Sequence, residues 1–133
     1  MTFKVLEHAA DLIIQATGKT PEELFSEMLR GMFEAIKPKF ANNKMIKRQI
    51  SVKSFDLKAL LVDFLSEALY QSDINNEAYF KATFKKFSET ELEAELFGRK
   101  IDSFEEEIKA VTHHNLKIEK KDDEWEAEVL FDI

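Results

Sequence analysis

The last ten residues alternate. Trp125, Ala127, Val129, Phe131 and Ile133 take every second position, with Glu124, Glu126, Glu128 and Asp132 between them, the period-2 pattern of a half-buried strand. Because the pattern runs to the final side chain, the chain is expected to end inside a strand, with Ile133 anchored and its carboxylate held. Successive strand side chains face opposite ways, so Asp132 turns away from the Phe131 face and sits beside that carboxylate. Two anions held so close call for a cation. Near the other end, Phe3 to Glu7 alternates in the same way, and Leu12, Ile14 and Ala16 resume the pattern after His8-Ala9-Ala10-Asp11, which predicts two strand pieces around a small-residue kink.

Gly18 turns the chain into Thr20-Pro21-Glu22-Glu23, a capping Thr followed by Pro and an acid three residues on, which opens a helix. Leu24, Phe25, Met28, Leu29, Met32, Phe33 and Ile36 give it a wide apolar stripe, and Pro38 ends it. Phe40 to Lys44 reads as a loop, and Ile46, Ile50 and Val52 as a third strand. A second helix starts near Ser54 or Asp56. It carries Leu57, Leu60, Leu61, Phe64, Leu65, Ala68 and Leu69 on one face and ends at Asp73-Ile74-Asn75-Asn76. Then Phe80, Ala82 and Phe84 alternate with lysines and Thr, and Leu92, Ala94 and Leu96 with Glu91, Glu93 and Glu95, so a Lys-rich and a Glu-rich strand are expected to pair as edges. Gly98-Arg99 reads as a turn, Ile108 to His114 with Leu116 and Ile118 as a further series, and Lys120 to Asp123 as a hairpin loop. The sum is an α+β fold over residues 1–133, one domain of mostly antiparallel sheet packed with two main helices.

At 133 residues and 44% apolar content, with 12 Phe, the chain can bury a strongly aromatic core. It has no Cys, which excludes disulfides, thiolate metal sites and a Cys nucleophile and suits a cytoplasmic protein. The start of the chain has no signal-peptide pattern and no stretch reaches membrane-spanning length, so a soluble, unprocessed protein without a membrane partner is expected. The net charge of -7 weighs against a protein that grips phosphate backbones by itself. Lys37, Lys39, Lys44, Lys47 and Arg48 form a small basic patch. Apart from Phe40, no aromatic residues interleave with them along the chain as a stacking platform would require, so the patch reads as a solvated face and direct nucleic-acid binding is not expected.

The polar groups at strand ends are His8 and Asp11, His113 and His114, and Asp132 with the terminal carboxylate. Asp11, Asp132 and the Ile133 carboxylate form an oxygen donor set suited to calcium or magnesium; a His added to it would favour manganese or zinc. Solvated carboxylates and a capping Asp are the plainer alternative. A free-standing metal-dependent hydrolase would use His8, Asp11 and one of His113 or His114, and a small-ligand-binding module would need a large apolar pocket. Lys109, among acids, reads as a paired surface charge. There is no nucleophile elbow, P-loop, Gly-rich dinucleotide turn or HExxH element.

Four segments carry a resemblance: Leu6-Glu7-His8-Ala9-Ala10-Asp11, Gly18-Lys19-Thr20-Pro21-Glu22-Glu23-Leu24-Phe25, Glu107-Ile108-Lys109-Ala110-Val111-Thr112-His113-His114, and Val129-Leu130-Phe131-Asp132-Ile133. In this order and spacing they closely resemble the archease family over the whole chain. The resemblance implies an SHS2-related α+β fold and a protein cofactor rather than an enzyme, one that assists the tRNA-splicing RNA ligase RtcB. In that role archeases promote the metal-dependent guanylylation of the ligase's active-site histidine and allow multiple turnover, and tRNA is met through the ligase. The family's divalent-ion site, described as calcium-binding, carries over to Asp11, Asp132 and Ile133. The Lys of its Val-Lys-Ala-Val-Thr stretch falls on Lys109, which with His8 is assigned to the ligase-assisting surface. Two departures stand out: Ala9 replaces the family's Thr, and His113-His114 its Tyr-His.

Overall fold

The computed structural model describes residues 1–8 and 11–133, with Glu7 and His8 described at the backbone only. Its elements in chain order are β1 (Phe3–His8), β2 (Asp11–Gly18), α1 (Pro21–Ala35), β3 (Pro38–Lys53), α2 (Leu57–Asn75), β4 (Glu77–Phe87), β5 (Glu91–Phe104), β6 (Ala110–Val111), β7 (Lys117–Lys121) and β8 (Glu124–Asp132). The strands form two antiparallel sheets. One has the order β1-β2-β8-β6, with β7 also paired to β8, and the other the order β3-β5-β4.

Both helices begin as their sequences dictate. Thr20 Oγ1 accepts the Glu23 N–H at 3.1 Å and Glu23 Oε2 accepts the Lys19 N–H at 2.8 Å, a reciprocal cap around the first turn of α1. Asp56 Oδ1 accepts the Ala59 N–H at 2.7 Å at the start of α2, and Asn76, left-handed at φ 54°, closes its end. The wide stripe of α1 is buried almost all round because the helix lies between the sheets, against β1, β2 and β8 on one side and β4 on the other. A Cβ on Gly31 would stand 3.0 Å from the Phe3 ring and 3.1 Å from Ile14, so the missing side chain sets how closely the first sheet approaches. Toward β4, Ser26 Oγ accepts the Ala82 N–H at 3.0 Å and covers part of an edge strand. One apolar cluster joins both sheets and both helices. It is threaded by ring contacts such as Phe25 to Phe87, 5.0 Å between centroids, and Phe33 to Tyr79, 5.4 Å.

A buried polar group sits beside this core. The Glu77 side chain is 1% exposed and receives Arg48 Nε at 3.1 Å, Arg48 Nη2 at 2.7 Å and the Tyr79 hydroxyl at 2.7 Å, with Lys100 Nζ at 3.5 Å. Burial pushes its pKa up, but the bonds from Arg48 and Tyr79 outweigh burial and hold it below its ordinary value of 4.5.

Several expectations need correction. Residues 40–44 are not a loop: β3 runs unbroken from Pro38, and the polar residues there form an irregularity in its register with β5, between Phe40 opposite Ile101 and Met45 opposite Arg99. Gly98-Arg99 is no turn. It lies inside β5, where a Cβ on Gly98 would fall 2.0 Å from the Ala78 carbonyl oxygen, so this Gly serves a close approach of β4. The Glu-rich strand β5 is central rather than an edge, and the ionic contacts across that hairpin include Lys86 to Glu91 at 2.9 Å and Lys100 to Glu77 at 3.5 Å. The two expected strand pieces are β1 and β2, antiparallel neighbours with His8 opposite Asp11, while Ala9 and Ala10 of the expected kink lie outside the described residues. Ile108 to His114 supplies only the two-residue β6, and β8 stops at Asp132, leaving Ile133 one residue beyond, 44% exposed. Among the described residues no helix is long and apolar enough to cross a membrane.

Candidate functional site

The first sheet brings the two predicted carboxylates together. β2 and β8 pair so that Leu12 faces Phe131 and Asp11 faces Asp132 directly. Phe131 is fully buried on the helix side, so alternation turns both aspartates to the outer face, side by side. Directly opposed residues have Cβ atoms roughly 5 Å apart, and like charges in that position oppose pairing. The same row continues to His8 on one side and Ala110 on the other. Thr112 extends the tie beyond β6, its N–H donating to the Leu130 carbonyl at 3.1 Å and its hydroxyl to the same oxygen at 2.9 Å.

Lys109 joins the row through its backbone, its N–H donating to the Asp132 carbonyl at 2.7 Å. The residue is exposed and borders a groove of about 890 Å³ between α2 and residues 104–111, beside Tyr70, Asp73 and Glu107. His113 and His114 are exposed and stand at the turn before β7, which starts with Lys117 opposite Glu128. That level of β8 lies away from the Asp11–Asp132 row. His8 is backbone partner to Asp11; its side chain lies outside the described residues. Among the described residues no three His, Cys, Asp or Glu side chains gather in metal-binding fashion; the hydrolase set of His8, Asp11 and His113 or His114 includes a side chain outside those residues.

The structure adds residues that no local pattern announced. A cavity of about 530 Å³ opens beside the corner, with an apolar lining that includes Phe3, Leu12 and Ile133 and a rim that includes Asp11, Glu34 and Glu106. Glu106 reaches it because its N–H donates to the Ile36 carbonyl at 3.1 Å, and the Glu105 N–H to the Lys37 carbonyl at 3.1 Å, stitching the acidic segment to the end of α1. A helix C-terminus carries partial negative charge, which adds to these carboxylates, while Lys37 in the same lining and Arg30, 3.5 Å from Glu34, balance part of it. In sequence, Glu106 is one of three consecutive Glu and Glu34 an ordinary helix residue; only packing singles them out.

Residues 3–133 match the model of the Archease protein family (MTH1598/TM1083). The chain belongs to the archease family. It is 38% identical to the protein archease of Methanosarcina barkeri over 144 aligned positions, covering 98% of this chain and 95% of the relative. It is 35% identical to that of Pyrococcus furiosus, with 96% and 95% covered. Two solved structures share the fold. The solution structure of Methanobacterium thermoautotrophicum protein 1598 has TM-score 0.71 at 24% identity, covering 98% of each chain. The Thermotoga maritima archease, whose description adds "possible chaperone", has TM-score 0.70 at 23% identity, covering 98% of this chain and 96% of its own. The α+β fold expected of an archease is therefore the fold observed.

Proposed function

We propose that this archease is a protein cofactor of an RtcB-type tRNA-splicing RNA ligase, promoting guanylylation of the ligase's active-site histidine and so multiple turnover. It is not an enzyme in its own right in this reading. The observation that carries it is the Asp11–Asp132 register at one anionic corner. Two carboxylates set directly opposite each other can offer hard oxygen donors to one cation, and such donors suit calcium. Asp11, Asp132 and the Ile133 carboxylate would hold the ion, with water or the ligase completing the shell of six to eight oxygens that calcium takes. When bound, the ion neutralises the corner and supplies positive charge at the face presented to the ligase. His8 and Lys109 flank this row through their backbones and make up the ligase-facing surface.

The test is product per ligase molecule when the protein is added to an RtcB-type ligase with GTP and limiting manganese. Wild type should raise turnover, and Asp132→Ala should abolish the gain while its circular dichroism spectrum stays that of wild type. Unchanged turnover for Asp132→Ala would remove the corner from the function. Assay of the purified protein alone against phosphoesters and esters should give no hydrolysis.

A further inference from the structure

The outer face of the second sheet carries a feature that the chain order hides. Ile50, Val52, Ala82, Leu92, Ala94 and Leu96 fill the inner face, so alternation sends Lys47, Phe97 and Lys81 outward, and the register sets them in one row across the three strands. Lys47 Nζ lies 5.6 Å and Lys81 Nζ 5.8 Å from the Phe97 ring centroid, each from a flanking strand. Two residues along the same face of β5, about 7 Å away, the Arg99 guanidinium lies 3.9 Å from the centroid of Phe40, a ring 38% exposed. Arg99 is held there by the Asn42 carbonyl at 3.2 Å and Asn43 Oδ1 at 2.9 Å, both from the irregular stretch of β3.

We propose that this face is a binding platform for a single-stranded polynucleotide, with a base stacked on Phe97 and backbone phosphates taken by Lys47, Lys81 and Arg99. Along the chain, Phe40 is the one ring among the basic residues 37–48, too few for a stacking series. Phe97 enters from the neighbouring strand, and Phe40, placed in a loop by the sequence pattern, is on the sheet. An acidic protein would be served by the cations alone; two rings set among them match a ligand that alternates flat π surfaces with negative charge. The net charge of -7 does not cancel the patch, because screening at physiological salt acts within about 8 Å. Glu91, Glu93 and Glu95 precede Phe97 on the same face of β5, Glu95 only two residues from it, and confine the strand to the Phe97–Arg99 end. This inference does not rest on the ligase reading.

Fluorescence anisotropy of the full chain with labelled oligouridylate at low salt tests it, with oligothymidylate as the deoxyribose arm. Binding of either supports the platform, and their ratio identifies the preferred sugar. Phe97→Leu, which keeps an apolar side chain at a half-buried position, should weaken binding roughly 5- to 150-fold, the worth of one base stack, and Phe97→Trp should restore it. Lys47→Gln with Lys81→Gln should flatten the slope of log K against log salt by about 1.4, at roughly 0.7 per phosphate on single strands. Should Phe97→Leu misfold, Phe97→Trp and the salt slope still decide the matter. Absence of binding, or an affinity indifferent to Phe97, overturns the proposal. So does equal uptake of polyglutamate, which would make this a surface for acidic proteins.

Discussion

Replacing Arg48 by Met removes the main partner of a buried carboxylate while keeping most of the side chain's apolar stem. Glu77 would keep the Tyr79 hydroxyl at 2.7 Å and Lys100 at 3.5 Å but lose two guanidinium bonds. Breaking a buried ion pair from one side costs about 3–5 kcal/mol. Here the Arg48 side chain is 34% exposed and two partners remain, so the cost falls at or just below that range, about 2–3 kcal/mol at pH 7. For a domain of this size that is a fall in Tm of roughly 10 °C. The pH dependence carries a definite sign. In the wild type the Glu77 pKa is lowered below 4.5 on folding, so its contribution is fully present above that value and is lost as pH falls through the folded one. Without Arg48, burial dominates and the carboxyl takes up a proton more readily, so the gap between variant and wild type should narrow as pH drops from 7 toward 4. Urea unfolding followed by circular dichroism at both pH values measures it. A penalty under about 0.5 kcal/mol at pH 7, or one equal at both pH values, would refute the account of Glu77 as a carboxylate held charged by Arg48.

Gly98→Ala should cost about 3 kcal/mol or more in the same assay, because its Cβ would meet the Ala78 carbonyl at 2.0 Å and push β4 from β5; a change within 0.5 kcal/mol would contradict that close approach. Asp56→Ala should remove roughly 1 kcal/mol by exposing the Ala59 N–H at the start of α2, read as a lower urea midpoint with unchanged slope. Asp132→Asn should stabilise the calcium-free protein by up to about 1 kcal/mol through relief of the Asp11–Asp132 repulsion. It should also abolish any rise in Tm on adding calcium, which thermal scans with and without chelator would check.

The outward turn of Asp132 and the burial of Phe131 were legible in the terminal alternation, and the starts of both helices in Thr20-Pro21 and Asp56. These depend on neighbours within a few residues, where backbone geometry alone sets side-chain direction and capping. Gly98 is ambiguous in sequence because a Gly next to a polar residue looks the same whether it turns the chain or admits a second strand; only the position of Ala78 separates the two. The same limit holds for the row Lys47–Phe97–Lys81 and for the meeting of Asp11 with Asp132, 121 residues apart in sequence. Alternation along one strand fixes which way a side chain points, while the residue across from it depends on register, and register is set by how every strand buries its apolar face against the same core.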